Sequence, residues 1–325
     1  MTAFSSQRIS RTAVVAGAAT LLAALTALAL FAGAPSRATS SARNGQLAFS
    51  GDKGSGAEIY TIHADGSGLH RRTHVNADRA SRGDAGSPDW SPDGSRITFG
   101  IEDKSVQVMN ADGSDVRTVA APGGEPAFTN DGEHVVYWCD ACAGGDGVFM
   151  VRADGSDAPG VRLTTNPFHD QGDENPELSP DGQTVSFVRH KVGGELQALF
   201  AVDVDGSDLR QLTGYRREIG IKHDWAPDGR HIVVTVNADY PNHTSANVAT
   251  IRADGSHLRK LTAYSGGKVG AFAGSYSPDG RWIAFRVENV EHKSFRLYKM
   301  HPDGTHRRLI RKLAISPRQI DWGPR

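Results

Sequence analysis

The chain has 325 residues, 22% of them charged, with 36 Lys and Arg against 37 Asp and Glu, a formal net charge of −1. All four charges before residue 44 are arginines, so the remainder carries 32 basic and 37 acidic side chains. That balance lacks the basic face a nucleic-acid partner requires and excludes that class.

Residues 1–34 read as an export leader. Arg8 and Arg11 precede an apolar stretch from Thr12 to Phe31, and the small run Ala32-Gly33-Ala34 follows. A charged start, an apolar centre and an A-x-A site make a secretory signal. The alternative is an uncleaved anchor, because about 20 apolar residues can span a bilayer. No cysteine follows the apolar run, which argues against a lipid-modified one. On either reading the rest of the chain lies outside the cytoplasm, secreted, periplasmic or tethered, and meets the membrane only through an uncleaved leader. Residues 35–43, Pro-Ser-Arg-Ala-Thr-Ser-Ser-Ala-Arg, are a small-residue tether expected to be disordered.

From Asn44 onward the chain repeats itself. A turn ending in Pro-Asp-Gly occurs at Trp90–Gly94, Leu178–Gly182, Trp225–Gly229 and Tyr276–Gly280, with a degenerate copy at Phe128–Gly132. Between these copies lies Asp-Gly-Ser or Asp-Gly-Thr, starting at Asp65, Asp112, Asp154, Asp205, Asp254 and Asp303, spaced 42 to 51 residues apart. This is the period of a four-stranded propeller blade. Proline presets φ for a type I turn and glycine accepts the left-handed geometry that follows. Asp-Gly-Ser reads as a hairpin turn in which both leading residues tolerate positive φ. Alternating apolar runs flank each turn, as in Arg96-Ile97-Thr98-Phe99-Gly100 and Val106-Gln107-Val108-Met109, and several repeats close on Leu-Thr. Period-2 alternation bounded by Gly and Pro signals strands.

The predicted fold is therefore all-β, a six-bladed β-propeller of four-stranded antiparallel blades over residues 44–325. The end Ile320-Asp321-Trp322-Gly323 matches what normally precedes Pro-Asp, and the start Asn44-Gly45-Gln46-Leu47 matches what normally follows it. The C-terminal strand should thus complete the first blade and close the ring, which removes exposed sheet edges.

The single cysteine pair, Cys139 and Cys142, most simply forms a disulfide in an exported protein. Half a zinc site or a redox pair are the alternatives, although a lone CxxC supplies too few zinc ligands and no helix start is at hand. In an up-and-down blade the two tight turns share one face of the disc. Every irregular segment then falls on the opposite face, where binding usually resides. The densest polar cluster there includes His169, Asp170, Asp173 and Glu174, just ahead of an innermost strand. Asp84, Glu125, His223 and Asp224 hold corresponding positions in other blades, so this set should ring the mouth of the central channel. Such carboxylates and imidazoles could hold a divalent cation, or simply form a solvated acidic funnel. Tyr215, Arg216 and Tyr240 are interface candidates on the same face, and the turn aspartates read as turn chemistry only.

The W-S-P-D-G copies, the A-D-G-S turns and the Leu-Thr endings together resemble the TolB-type, WD40-like propeller repeat family across the whole chain after the leader. The resemblance implies a six-bladed, exported protein that binds other proteins in the cell envelope. The repeats leave no space for the N-terminal α/β domain of TolB proper, so a role in the Tol system is not implied. Propellers of this type also resemble the gating domain of prolyl oligopeptidase-like hydrolases, but those need a G-x-S-x-G nucleophile elbow, and the sequence contains none. The expectation is a non-catalytic scaffold engaging a protein or an envelope polymer. The alternative is a metal-dependent polysaccharide lyase with His169, His190 and His223 as ligands and Arg216 neutralising a sugar carboxylate.

Overall fold

The structure, a computed structural model, describes residues 43–325 except 55, 76–82, 103, 143–144, 166–171, 192–195, 221, 238–244 and 290. The leader at 1–34 and the tether up to residue 42 lie outside the described residues. Six four-stranded antiparallel sheets follow one another along the chain, and the only helix among the described residues is a single 3-10 turn, Tyr215–Arg217. The innermost strands of blades 2 to 6 are Ala85–Trp90, Gly124–Phe128, Asp173–Leu178, His223–Trp225 and Val269–Tyr276. Blade 1 takes its innermost strand, Arg318–Pro324, from the C-terminus, which pairs antiparallel with Asn44–Asp52 through Leu47↔Trp322 and Ala48↔Asp321.

The turns hold themselves in shape. In Ser91-Pro92-Asp93-Gly94 the Asp93 carboxylate accepts the Ser91 hydroxyl at 2.6 Å and the Ser95 amide at 3.0 Å. Ser91 Oγ in turn accepts the Arg96 amide at 2.9 Å, locking the start of the next strand. The Asp-Gly-Ser turns differ from expectation in one respect. At the first of them only the glycine, Gly66 with φ 87°, takes a left-handed conformation, while Gly66 N–H bonds His63 O at 2.9 Å and His63 N–H bonds Ser67 O at 2.9 Å. This is a type I turn followed by a glycine bulge, so the aspartate serves as a side-chain acceptor rather than as a left-handed residue. The Leu-Thr endings also have a reason. The hydroxyls of Thr73, Thr164, Thr213 and Thr262 accept the amides of Ile59, Val148, Leu199 and Val248 at 2.9–3.0 Å, extending the two-residue outer strands by a side-chain bond.

Among the described residues, buried apolar side chains form six clusters rather than one core, each built from two adjacent blades. Blades 6 and 1 meet through Leu297, Ile310 and Leu313 on one side and Leu47, Phe49, Ile320 and Trp322 on the other. The interface that closes the ring is thus as apolar as those made by consecutive blades. Trp322 is 4% exposed, and replacing it by alanine is expected to cost about 3–5 kcal/mol. A chemical denaturation midpoint unchanged in Trp322→Ala would show that the closing strand contributes nothing to the ring.

Candidate functional site

The innermost strands bring one position from each blade to the channel, the residue just before the motif's opening residue, which is aromatic in every blade but the fourth, where it is Leu178. Around the ring these are Asp321, Asp89, Ala127, Glu177, Asp224 and Ser275. Three aspartates each tie one blade to the next, at the junctions of blades 1 and 2, 2 and 3, and 5 and 6. Asp321 accepts the Trp90 amide at 2.9 Å, Asp89 the Phe128 amide at 2.7 Å and Asp224 the Tyr276 amide at 2.7 Å. At blade 4 the longer Glu177 side chain instead receives Lys222 Nζ, which reaches inward from just ahead of the innermost strand of blade 5. A second tier repeats the scheme nearer the loops. Gln319 accepts the Ser87 amide at 2.8 Å, Glu125 the Asn175 amide at 3.0 Å and Thr235 the Ala273 amide at 2.9 Å.

A bulge makes this two-tier arrangement possible. Ser87, Glu125, Asn175 and Gln319, each two residues before the lower-tier position, have φ between 47° and 50°. Strand registers shift at the same place, between Gly86 and Asp89, Gly124 and Ala127, and Glu174 and Glu177. The extra residue re-aims side chains along the strand, as bulges do next to sites.

The lower tier is electrostatically unusual. Burial pushes the carboxyls of Asp89, Asp224 and Asp321 up, reinforced for Asp89 by Asp321 and for Asp224 by Glu177. Burial also pushes Glu177 up to about 7, against the pull of Lys222. Lys222 itself is held charged by Glu177, Asp321, Asp89 and Asp224, which together overcome its desolvation. One ammonium serves four buried carboxylates, which cannot all ionise side by side. The turn aspartates behave oppositely, with Asp93 lowered to about 2 chiefly by the Ser91 hydroxyl.

The residues singled out in the sequence separate into distinct places. Asp84 and Glu125 line a cavity of about 580 Å³ at the channel mouth, with Lys222, Arg286, Arg318 and Gln319. Asp224 belongs to the lower tier. Asp173 is fully buried and forms a bidentate pair with Arg189 at 2.6 and 2.7 Å, while accepting the Thr164 hydroxyl of blade 3 at 2.7 Å. Glu174 pairs with His190 at 2.9 Å. His223 is fully buried with Nε2 2.8 Å from Ser186 Oγ, which also accepts the Trp225 indole N–H at 2.8 Å. Asp173 and His223 thus serve packing between and within blades, away from the open mouth. Tyr215 is half-buried with its ring 6.2 Å from that of Phe200, whereas Arg216 is exposed beside it. His169, Asp170 and Tyr240 lie outside the described residues. Cys139 and Cys142 are joined in a disulfide. Among the described residues, no three His, Cys, Asp or Glu side chains converge closely enough to hold a metal ion. Sequence reasoning missed Asp89, Glu177, Asp321 and Lys222. The available signal was that four of the six positions just before the motif's opening residue are acidic.

These features define a closed six-bladed propeller whose channel is organised by buried carboxylates and whose mouth forms a polar cavity. The model of the TolB beta propeller domain matches residues 75–267, and the chain belongs to that family. The protein is 25% identical over 146 residues to the protein called "Uncharacterized peptidase YuxL" of Bacillus subtilis (strain 168), covering 36% of this chain and 22% of that one. The chain therefore spans about a fifth of that relative's length. In structure it is similar to TolB from Acinetobacter baumannii, with TM-score 0.66 and 18% identity over 86% of this chain and 67% of the other. It is also similar to an oligogalacturonate lyase in complex with manganese, with TM-score 0.54 and 12% identity over 84% and 75% of the two chains. At these identities both likenesses show the fold alone.

Two outcomes test the carboxylate tier. Lys222→Met leaves buried carboxylates without their cation and is expected to cost about 3–5 kcal/mol at pH 7; a midpoint matching wild type would contradict this. The raised carboxyls also set a pH dependence. A carboxyl that titrates higher in the folded than in the unfolded chain holds its proton longer when folded, so its contribution is full below about pH 4.5 and is lost as pH rises through about 7. Wild type should therefore lose denaturation midpoint between pH 5 and 8, and Glu177→Gln should flatten that fall. Identical slopes for the two proteins would show that Glu177 ionises freely.

Proposed function

We propose that the protein is an exported, non-catalytic binding scaffold that engages a protein partner of the cell envelope through its loop-rich face and channel mouth. The observation that carries this reading is the polar cavity at the mouth, set on a ring tied by two tiers of side-chain to backbone bonds. A site mounted on such a frame loses little ordering entropy when it binds. Membership of the TolB propeller family supports protein binding. Export is supported by the charged, apolar and A-x-A pattern of residues 1–34, and by a disulfide suited to an oxidising compartment. No helix among the described residues is long and apolar enough to cross a membrane.

Arg216, exposed on the 3-10 turn of this face, is a suitable probe because it takes no part in the ring bonds. Envelope capture should be run with wild type and with Arg216→Glu, and the captured partner re-bound as a purified protein. The expected result is recovery of the protein outside the cytoplasm and a purified partner bound at least about tenfold more weakly by the variant. Cytoplasmic retention, or equal affinity of both forms for every purified partner, would count against the reading.

A further inference from the structure

Both signs of charge line the channel mouth: Arg286 and Glu288 of blade 6, Arg318 of blade 1, Lys222 ahead of the innermost strand of blade 5, and Asp84, Glu102 and Glu125 of blades 2 and 3. The acids of blades 2 and 3 already have partners within the protein. Asp84 accepts the Ala57 amide at 2.8 Å, Glu125 accepts the Asn175 amide at 3.0 Å, and Glu102 pairs with Lys104 at 3.2 Å.

Arg286 is different. Its side chain is only 15% exposed, and Cζ lies 4.0 Å from the centroid of the Phe272 ring. Its Nε has no hydrogen-bond partner among the described residues, and the nearby Glu288 carboxylate stands 3.6 Å away, too far for a hydrogen bond. Burial, aided by the charge of Arg318, pushes its pKa down to about 10 despite Glu288, so at neutral pH it remains a cation. A buried guanidinium nitrogen without an acceptor is costly, and a second arginine lining the same cavity adds to that cost. A carboxylate offsets both, because its two oxygens match the planar fork of the guanidinium.

The geometry points to a small-ligand site: a zwitterion whose carboxylate is held by Arg286 and Arg318, and whose ammonium faces Asp84, Glu102 and Glu125. The cavity, about 580 Å³, falls in the size range of small-molecule pockets and accommodates an amino acid or short peptide. A polyanion is disfavoured, since its further carboxylates would meet these acids. The site goes beyond the scaffold reading and can fill whether or not a protein docks on the surrounding loops.

The test is calorimetric titration of the full chain at pH 7 and low salt with triglycine, triglycine amide and N-acetyltriglycine. Triglycine should bind saturably. The amide, which lacks the carboxylate, should bind at least about tenfold more weakly, and the acetyl form, which lacks the ammonium, should be weakened by a smaller factor. Arg286→Met and Arg318→Gln should each erase the difference between triglycine and its amide. Arg318 is exposed, so its variant decides the matter if Arg286→Met fails to fold. Absence of saturable triglycine binding, equal binding of triglycine and its amide, or an Arg318→Gln protein that still discriminates between them would overturn the site.

Discussion

A ring of sheets depends on one constraint: the last blade must be bound to the first as firmly as any neighbour is to the next. Here the chain meets it by splitting blade 1, so that the C-terminal strand pairs with Asn44–Asp52. Asp321, carried on that same strand, then reaches across to the backbone of blade 2 at Trp90. Closure therefore has a hydrogen-bonded part within one sheet and a circumferential part between sheets. The apolar cluster linking blades 6 and 1 completes it. Every other property of the molecule, including a channel mouth of fixed shape, follows from the ring staying shut.

The circumferential ties explain why buried acids are tolerated along the channel. Each of Asp321, Asp89 and Asp224 gives a backbone amide at the head of the next blade an acceptor that strand pairing does not supply. A buried amide left unpaired is costly, so the desolvation of these carboxyls is offset by the bonds they accept. Glu177 breaks the pattern because its side chain is longer and meets Lys222 instead. The channel is thereby balanced by an internal ammonium on the chain itself. The turn face and the channel use the same residue type for opposite ends: exposed turn aspartates stay ionised under hydroxyl and amide donors, while the channel aspartates are pushed toward protonation by burial.

Most of the fold was legible in the sequence because turn chemistry is local. Ser91, Pro92, Asp93 and Gly94 each contribute a bond or a dihedral within five residues, so the motif repeats visibly wherever the turn does. The split blade was equally visible, since Asp321-Trp322 reads as the first half of a motif that Asn44 continues. The site was less legible. Asp84, Glu125 and Asp224 were recognised by their place ahead of an innermost strand, and the first two line the mouth cavity. Asp173 and His223 share that sequence context but turn into the protein, because the bulge after Glu174 and the contact with Ser186 re-aim them. Lys222 and Arg286 carried no sequence signal. Lys222 sits just ahead of a strand and Arg286 within one, and the meaning of each comes from another blade: from Glu177, 45 residues away, for Lys222, and from Arg318 across the closure for Arg286.

The central claim is that side-chain carboxylates, rather than apolar packing alone, lock blade 1 to 2, 2 to 3 and 5 to 6. Native-state hydrogen exchange at the amides of Trp90, Phe128 and Tyr276 tests it most directly. If the ties hold, all three amides exchange only through global opening, with equal protection, and Asp321→Ala releases Trp90 to faster local exchange while Phe128 and Tyr276 keep pace with the global rate. Local exchange of Trp90 in the wild-type protein, or an unchanged Trp90 rate in the variant, would contradict the account.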